Sequence, residues 1–172
     1  MIQAKIIYEI FSNFTNYKIV IGGSNNPLDF KKGSVLITLI NSNVLSNSNK
    51  DFKNLIDENQ TTLINQYSLV KLNYQIDIYK INNNKLGIIE VNNEALNIQE
   101  YLKSFDTQEH LKEYGIEILP CYANIVCLTE FNEQKHLINR AFFEFSLIHK
   151  VQIQQKVDKI DKIKTNNTII GG

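Results

Sequence analysis

Two long stretches of the chain alternate apolar and polar residues with the two-residue period of a half-buried strand. In the later one, Leu137 to Gln154, the odd positions read Leu137, Asn139, Ala141, Phe143, Phe145, Leu147, His149, Val151 and Ile153. The even positions from Arg140 onward read Arg140, Phe142, Glu144, Ser146, Ile148, Lys150, Gln152 and Gln154. The earlier stretch runs from about Leu63 to Ile81, with Val70, Leu72, Tyr74, Ile76 and Ile78 on one face. Lys71, Asn73, Gln75 and Asp77 fall on the other. Strands commonly have about five or six residues, so these two are expected to outrun the core of a small domain. Tyr79 and Phe142 interrupt the polar faces, as partner-contacting aromatics or ordinary cross-strand packing would.

Elsewhere the period changes. Ile2, Ile6, Ile7, Ile10, Phe11 and Phe14 have helical spacing and predict an amphipathic helix over residues 2–14. Tyr17 to Ile21 and Val35 to Ile40 read as strands, with a loop at Gly22 to Pro27. The Asn/Ser run from Asn41 to Asn49 reads as a loop, and Lys50 to Asn59 as ambiguous, with room for a helical turn around Phe52, Leu55 and Ile56. Helical spacing returns at Asn93 to Phe105. Asp106-Thr107-Gln108-Glu109 then has the form of a capping box opening a short helix, and Gly115 is a natural stop. Ile116–Leu119 and Ile125–Leu128 are short strand candidates, and Thr129 to His136 is the expected turn into the last strand.

The predicted order is helix, two strands, long strand, two helices, three strands. It points to an α+β fold with a twisted, mainly antiparallel sheet and helices packed on one face. One domain is expected over residues 1–155, with a mobile loop at about 41–62 and a flexible polar tail over 156–172.

Charge narrows the partners. Eighteen basic and eighteen acidic side chains cancel, and Arg140 is the single arginine. Neither fact suits a strong grip on nucleic acid, where clustered positive charge and bidentate arginines do the work. The abundance of Ile, Asn and Lys fits codon bias. No run approaches the roughly twenty apolar residues of a membrane span, and no secretory signal is visible. Cys121 and Cys127 therefore read as reduced, largely buried thiols.

Catalytic equipment is sparse. His110, His136 and His149 do not stand at metal-ligand spacing, and His149 lies on an apolar strand face. Gly22-Gly23 lacks the helix start and the Lys-Ser/Thr pair of a phosphate cradle. Asp29-Phe30-Lys31, Asp51-Phe52-Lys53 and Glu133-Gln134-Lys135 match half of a nuclease motif, at about the frequency chance supplies, in expected loops. Nothing in the sequence orients a cysteine toward His136, and Asp158 and Asp161 belong to the polar tail. No enzyme, cofactor or metal is expected. Shape and assembly become the leading explanation.

Three segments then carry a resemblance. They are Tyr74-Gln75-Ile76-Asp77-Ile78-Tyr79, Leu111-Lys112-Glu113-Tyr114-Gly115-Ile116, and Asn139-Arg140-Ala141-Phe142-Phe143-Glu144-Phe145. In spacing and element order, residues 67–153 resemble the tail- and neck-terminator proteins of tailed bacteriophages. The resemblance implies a virion protein of the tail or neck, assembled in the host cytoplasm into a ring, usually a hexamer. The ring would cap the tail tube, end its polymerisation and meet the head connector, with DNA passing through its lumen without sequence-specific binding. Lys71, Asp77, Tyr79, Arg140, Phe142, Glu144 and Lys150 are the expected oligomer or partner contacts. The alternatives are a head-completion or tail-tube-like protein, or a small nuclease whose metal-dependent cleavage would depend on Asp77 or Glu144.

Overall fold

The computed structural model describes residues 2–45, 49–56, 62–81, 86–119, 124–131 and 136–157. Its elements are α1 (Ile2–Ser12), β1 (Lys18–Ile21), β2 (Ser34–Val44), β3 (Asn49–Ile56), β4 (Thr62–Ile81), α2 (Gly87–Lys103), α3 (Phe105–Glu113), β5 (Ile116–Ile118), β6 (Val126–Phe131) and β7 (Leu137–Val157). This is an α+β fold. Its seven strands form one mixed sheet in the order β1-β2-β4-β7-β5, with β3 also on β4 and β6 also on β7. Among the described residues only β1 and β2 run parallel, and the other pairings are antiparallel.

The two alternating stretches become the spine of the sheet. Strand β4 has 20 residues and β7 has 21. They pair without a break from Thr62↔Val157 to Ile81↔Ile138. That register sets Ile76 opposite Phe143 and Ile78 opposite Ala141, so the two apolar faces merge. Val35 and Ile37 of β2 continue the same surface. Ile7, Ile10 and Phe11 of α1, Val91, Ala95, Ile98 and Leu102 of α2, and Leu111 of α3 complete one buried cluster with it. The helices therefore cover one face, as hydrophobic burial requires of a sheet with one apolar side.

Among the residues of β7 whose burial is described, which end at Val151, the last fully buried one is Leu147, and its β4 partner is Leu72. Residues 148–157 of β7 continue for about 33 Å at a strand's usual rise, with residues 62–71 of β4 alongside. Strand β3 follows the other edge of β4, from Asn49↔Tyr67 to Ile56↔Thr62. The result is a three-stranded arm leaving the helix-covered body. At its root the αL glycine Gly115 (φ +66°) ends α3, and its carbonyl accepts a bond from the Lys150 amide at 3.2 Å.

Several local expectations change. Where a loop is expected from Asn41, β2 runs to Val44, the Leu45 amide donates to the Leu69 carbonyl, and β3 begins at Asn49. The helical turn around Phe52 is likewise strand. The long β4 edge supplies backbone partners that override the turn preference of Asn and Ser. Helix α2 starts at Gly87, before the expected Asn93. The α3 cap is Ser104, not Asp106: its side chain accepts from the Thr107 amide. Residues 156 and 157, expected in the tail, belong to β7, which extends to Val157; residues 158–172 lie outside the described residues, as does Cys121.

His149 sits where the body ends, paired with Val70 and Ile116. Burial pushes its imidazole pKa below the ordinary value. In the interval between the folded and unfolded pKa values the unfolded chain binds the extra proton, so stability is full above about pH 6.5 and falls as pH drops through that interval. Thermal melts from pH 7.5 to 5 are expected to show this slope, and His149→Gln is expected to flatten it.

Candidate functional site

Among the described residues the second face of the sheet carries no helix, and the β4–β7 register brings all seven expected contact residues onto it. Successive rungs are Tyr79↔Arg140, Asp77↔Phe142, Gln75↔Glu144, Asn73↔Ser146, Lys71↔Ile148 and Leu69↔Lys150. Residues scattered through the sequence thus form one double column, because period-two alternation holds through both strands.

The top of the column is a tight cluster. Arg140 donates from Nε and Nη2 to Asp77 Oδ1, at 2.9 and 2.6 Å. Gln75 Nε2 lies 2.9 Å from each Asp77 oxygen. Asp77 is only 3% exposed. Its charge is tolerated there because these donors replace the lost water. Aromatic rings wall the pair: the guanidinium carbon lies 4.7 Å from the Phe142 ring centre and 5.7 Å from that of Tyr79. Phe30 meets Tyr79 edge-on at 5.9 Å. Desolvation first, and the Asp77 charge next, raise the Tyr79 hydroxyl above its usual pKa. Glu130 of β6 adds a looser contact to Arg140 at 3.9 Å.

Below the cluster the next two rungs, Gln75↔Glu144 and Asn73↔Ser146, are polar, and Ile148 and Leu69 enter the two after them. Ser146 Oγ donates to Asn73 Oδ1 at 2.6 Å, and Asn73 Nδ2 donates to Asn41 Oδ1. Glu144 is exposed, Lys71 half-buried. At the root of the arm, the exposed Lys150 ammonium sits 4.0 Å from the Tyr67 ring centre. Val126 and Leu128 of β6 extend the face with exposed apolar surface.

Asp77 therefore differs from its neighbours in kind. Being covered, it fixes the direction of Arg140, while Arg140, Phe142, Glu144 and Lys150 retain surface to offer. Sequence reading missed Gln75 as a partner, although i and i+2 in a strand share a face. It missed Asn41 because the segment read as loop.

Chemistry beyond ion pairing finds little support. Among the described residues no three His, Cys, Asp or Glu side chains are placed to hold a metal. Asp29 is a turn residue whose Oδ1 accepts from the Lys31 and Lys32 amides, and these bonds hold its carboxyl pKa low. Asp51–Lys53 lies in β3, a correction to the expected loop, and Glu133–Lys135 lies outside the described residues. Cys127 Sγ lies 3.4 Å from Asn92 Oδ1, and burial raises its thiol pKa, the opposite of an activated nucleophile. A cleft of about 520 Å³ between the end of α1 and α2 contains the Phe14–Tyr101 stack at 4.2 Å and a bond from Thr15 to Glu94. These contacts seam α1 to α2. No helix among the described residues is long and apolar enough to cross a membrane.

Comparison with known proteins gives one family. The family model described as phage neck terminator protein matches residues 5–172, well beyond the 67–153 stretch that carries the sequence resemblance. No curated protein matches the chain.

Proposed function

Because this chain belongs to the phage neck terminator protein family, a structural family of the virion neck, we propose that copies of it close into a ring at the end of the tail tube. The ring ends tube growth and presents a surface to the head connector. Six copies is the number the family resemblance implies. The observation that carries this reading is the uncovered column from Tyr79/Arg140 to Leu69/Lys150, set on a spine whose pairing runs ten rungs past Leu147. A tube end exposes unpaired edges, and a cap must satisfy them while offering none of its own. One rigid sheet can meet the tube along its open face, and cyclic symmetry lets one chain build the whole cap.

The charge balance fits a lumen through which DNA slides. A zero formal net charge and one arginine, itself bonded to Asp77, leave little to condense on phosphate.

Glu144 and Lys71 test the face directly. Glu144→Lys and Lys71→Glu change exposed or half-exposed charge without touching the core. Each is expected to leave the melting temperature within about 2 °C and to weaken association with tail tubes, measured by co-sedimentation. Association that is unchanged in both variants would remove the open face from the interface.

A further inference from the structure

The arm has a property that the open face does not. Its two outer strands both present backbone edges without a strand partner among the described residues: β3 pairs only with β4, and β7 beyond Lys150 pairs only with β4. The β3 edge covers residues 49–56, with two extra residues bulged between Asp51 and Leu55, and the free β7 edge covers residues 151–157.

The edges are also level. Through β4, Asn49 stands across from Tyr67 and Tyr67 from Gln152; Ile56 stands across from Thr62 and Thr62 from Val157. Both outer strands are antiparallel to β4, so they run parallel to each other. Copies related by rotation about an axis along the arm keep that direction. The β7 edge of one copy can then meet the β3 edge of the next in parallel, at one height around the ring. A heterologous contact without axial shift closes into a ring; one with a shift grows a helix.

We infer that the arms of neighbouring copies join edge to edge, β7 of one to β3 of the next, in parallel pairing, as a barrel of three strands per copy. The inference deepens the ring reading and rests on it, assigning the arm, not the open face, to the contact between copies. Six copies would supply about eighteen strands. At a spacing of about 4.8 Å and a tilt of about 40°, such a barrel measures about 36 Å between opposite backbones, and its closure staggers the strand register by about four residues per copy. Barrels of that strand number enclose a water-filled channel. The barrel also removes every exposed edge of the arm, which an isolated arm would leave as an aggregation template.

Disulfide trapping in the full chain tests this. In a background with Cys121→Ser and Cys127→Ser, Gln154→Cys is combined in turn with Asn49→Cys, Asp51→Cys or Leu55→Cys and oxidised. Within one chain these strands are two spacings apart, about 9.6 Å, too far for a disulfide, so any bond joins two copies. At least one double variant is expected to give a ladder of covalent multimers on a denaturing gel, while every single variant stays monomeric. Dimers from Gln154→Cys alone would mean two-fold β7–β7 pairing and overturn the inference. No ladder in a sample whose light-scattering mass is that of a closed ring would also overturn it, leaving the ring reading intact. A monomeric mass for the unmodified chain would remove both.

Discussion

Arg140→Ala is expected to cost about 3 kcal/mol of folding stability, more than any other single change on the open face. The loss is not mainly that of a favourable ion pair, since a partly buried pair gains little over apolar packing. It arises because Asp77 stays behind, 3% exposed, with two charged hydrogen bonds removed and only Gln75 remaining. The converse change should be milder. In Asp77→Asn the amide still accepts from Arg140, and the guanidinium, about a quarter exposed, can turn toward water or Glu130, so about 1 kcal/mol is expected. Replacing both, Asp77→Leu with Arg140→Met, should recover most of the Arg140→Ala loss. Urea denaturation of the three variants checks the order. A larger loss in Asp77→Asn than in Arg140→Ala would show that Asp77 is not the burdened partner.

The adjacent residues Phe142 and Phe143 are expected to fail in opposite ways when cut to alanine. Phe143 is 1% exposed and faces Ile76 and the helices. Phe143→Ala opens a cavity in the centre of the core and should cost about 4 kcal/mol, lowering the melting temperature by about 10 °C. Phe142 is half-buried on the other face, over the Arg140 guanidinium. Phe142→Ala should cost about 1 kcal/mol and leave the fold intact, while removing the aromatic surface beside Arg140 on which partner contact is proposed. Calorimetry together with tube co-sedimentation separates the two. Equal destabilisation by both variants would contradict the face assignment on which the candidate site depends.

That assignment was legible in the sequence because it rests on period alone. Alternation over Leu63–Ile81 and Leu137–Gln154 places Ile76 and Phe143 on one side and Asp77 and Arg140 on the other, and the structure keeps both sides. Pairing was not legible. Nothing in the composition of Asn41 to Asn49 announces a strand, since Asn and Ser favour turns; residues 41–44 and 49 are held as strand by the β4 edge beside them. The α3 cap illustrates a smaller failure. Asp106 and Ser104 both head plausible capping patterns, and only the backbone shows that Ser104 bonds the Thr107 amide. The Arg140–Asp77 contact spans 63 residues of sequence and depends on a register that no local rule supplies.

The most direct measurement is electron microscopy of the purified chain mixed with tail tubes, with its mass in solution determined alongside. Single closed rings of one fixed copy number, seated at one end of each tube and preventing its elongation, are the predicted result. A chain that remains monomeric at high concentration and leaves tube ends bare, or that stacks by itself into long tubes, would contradict the account.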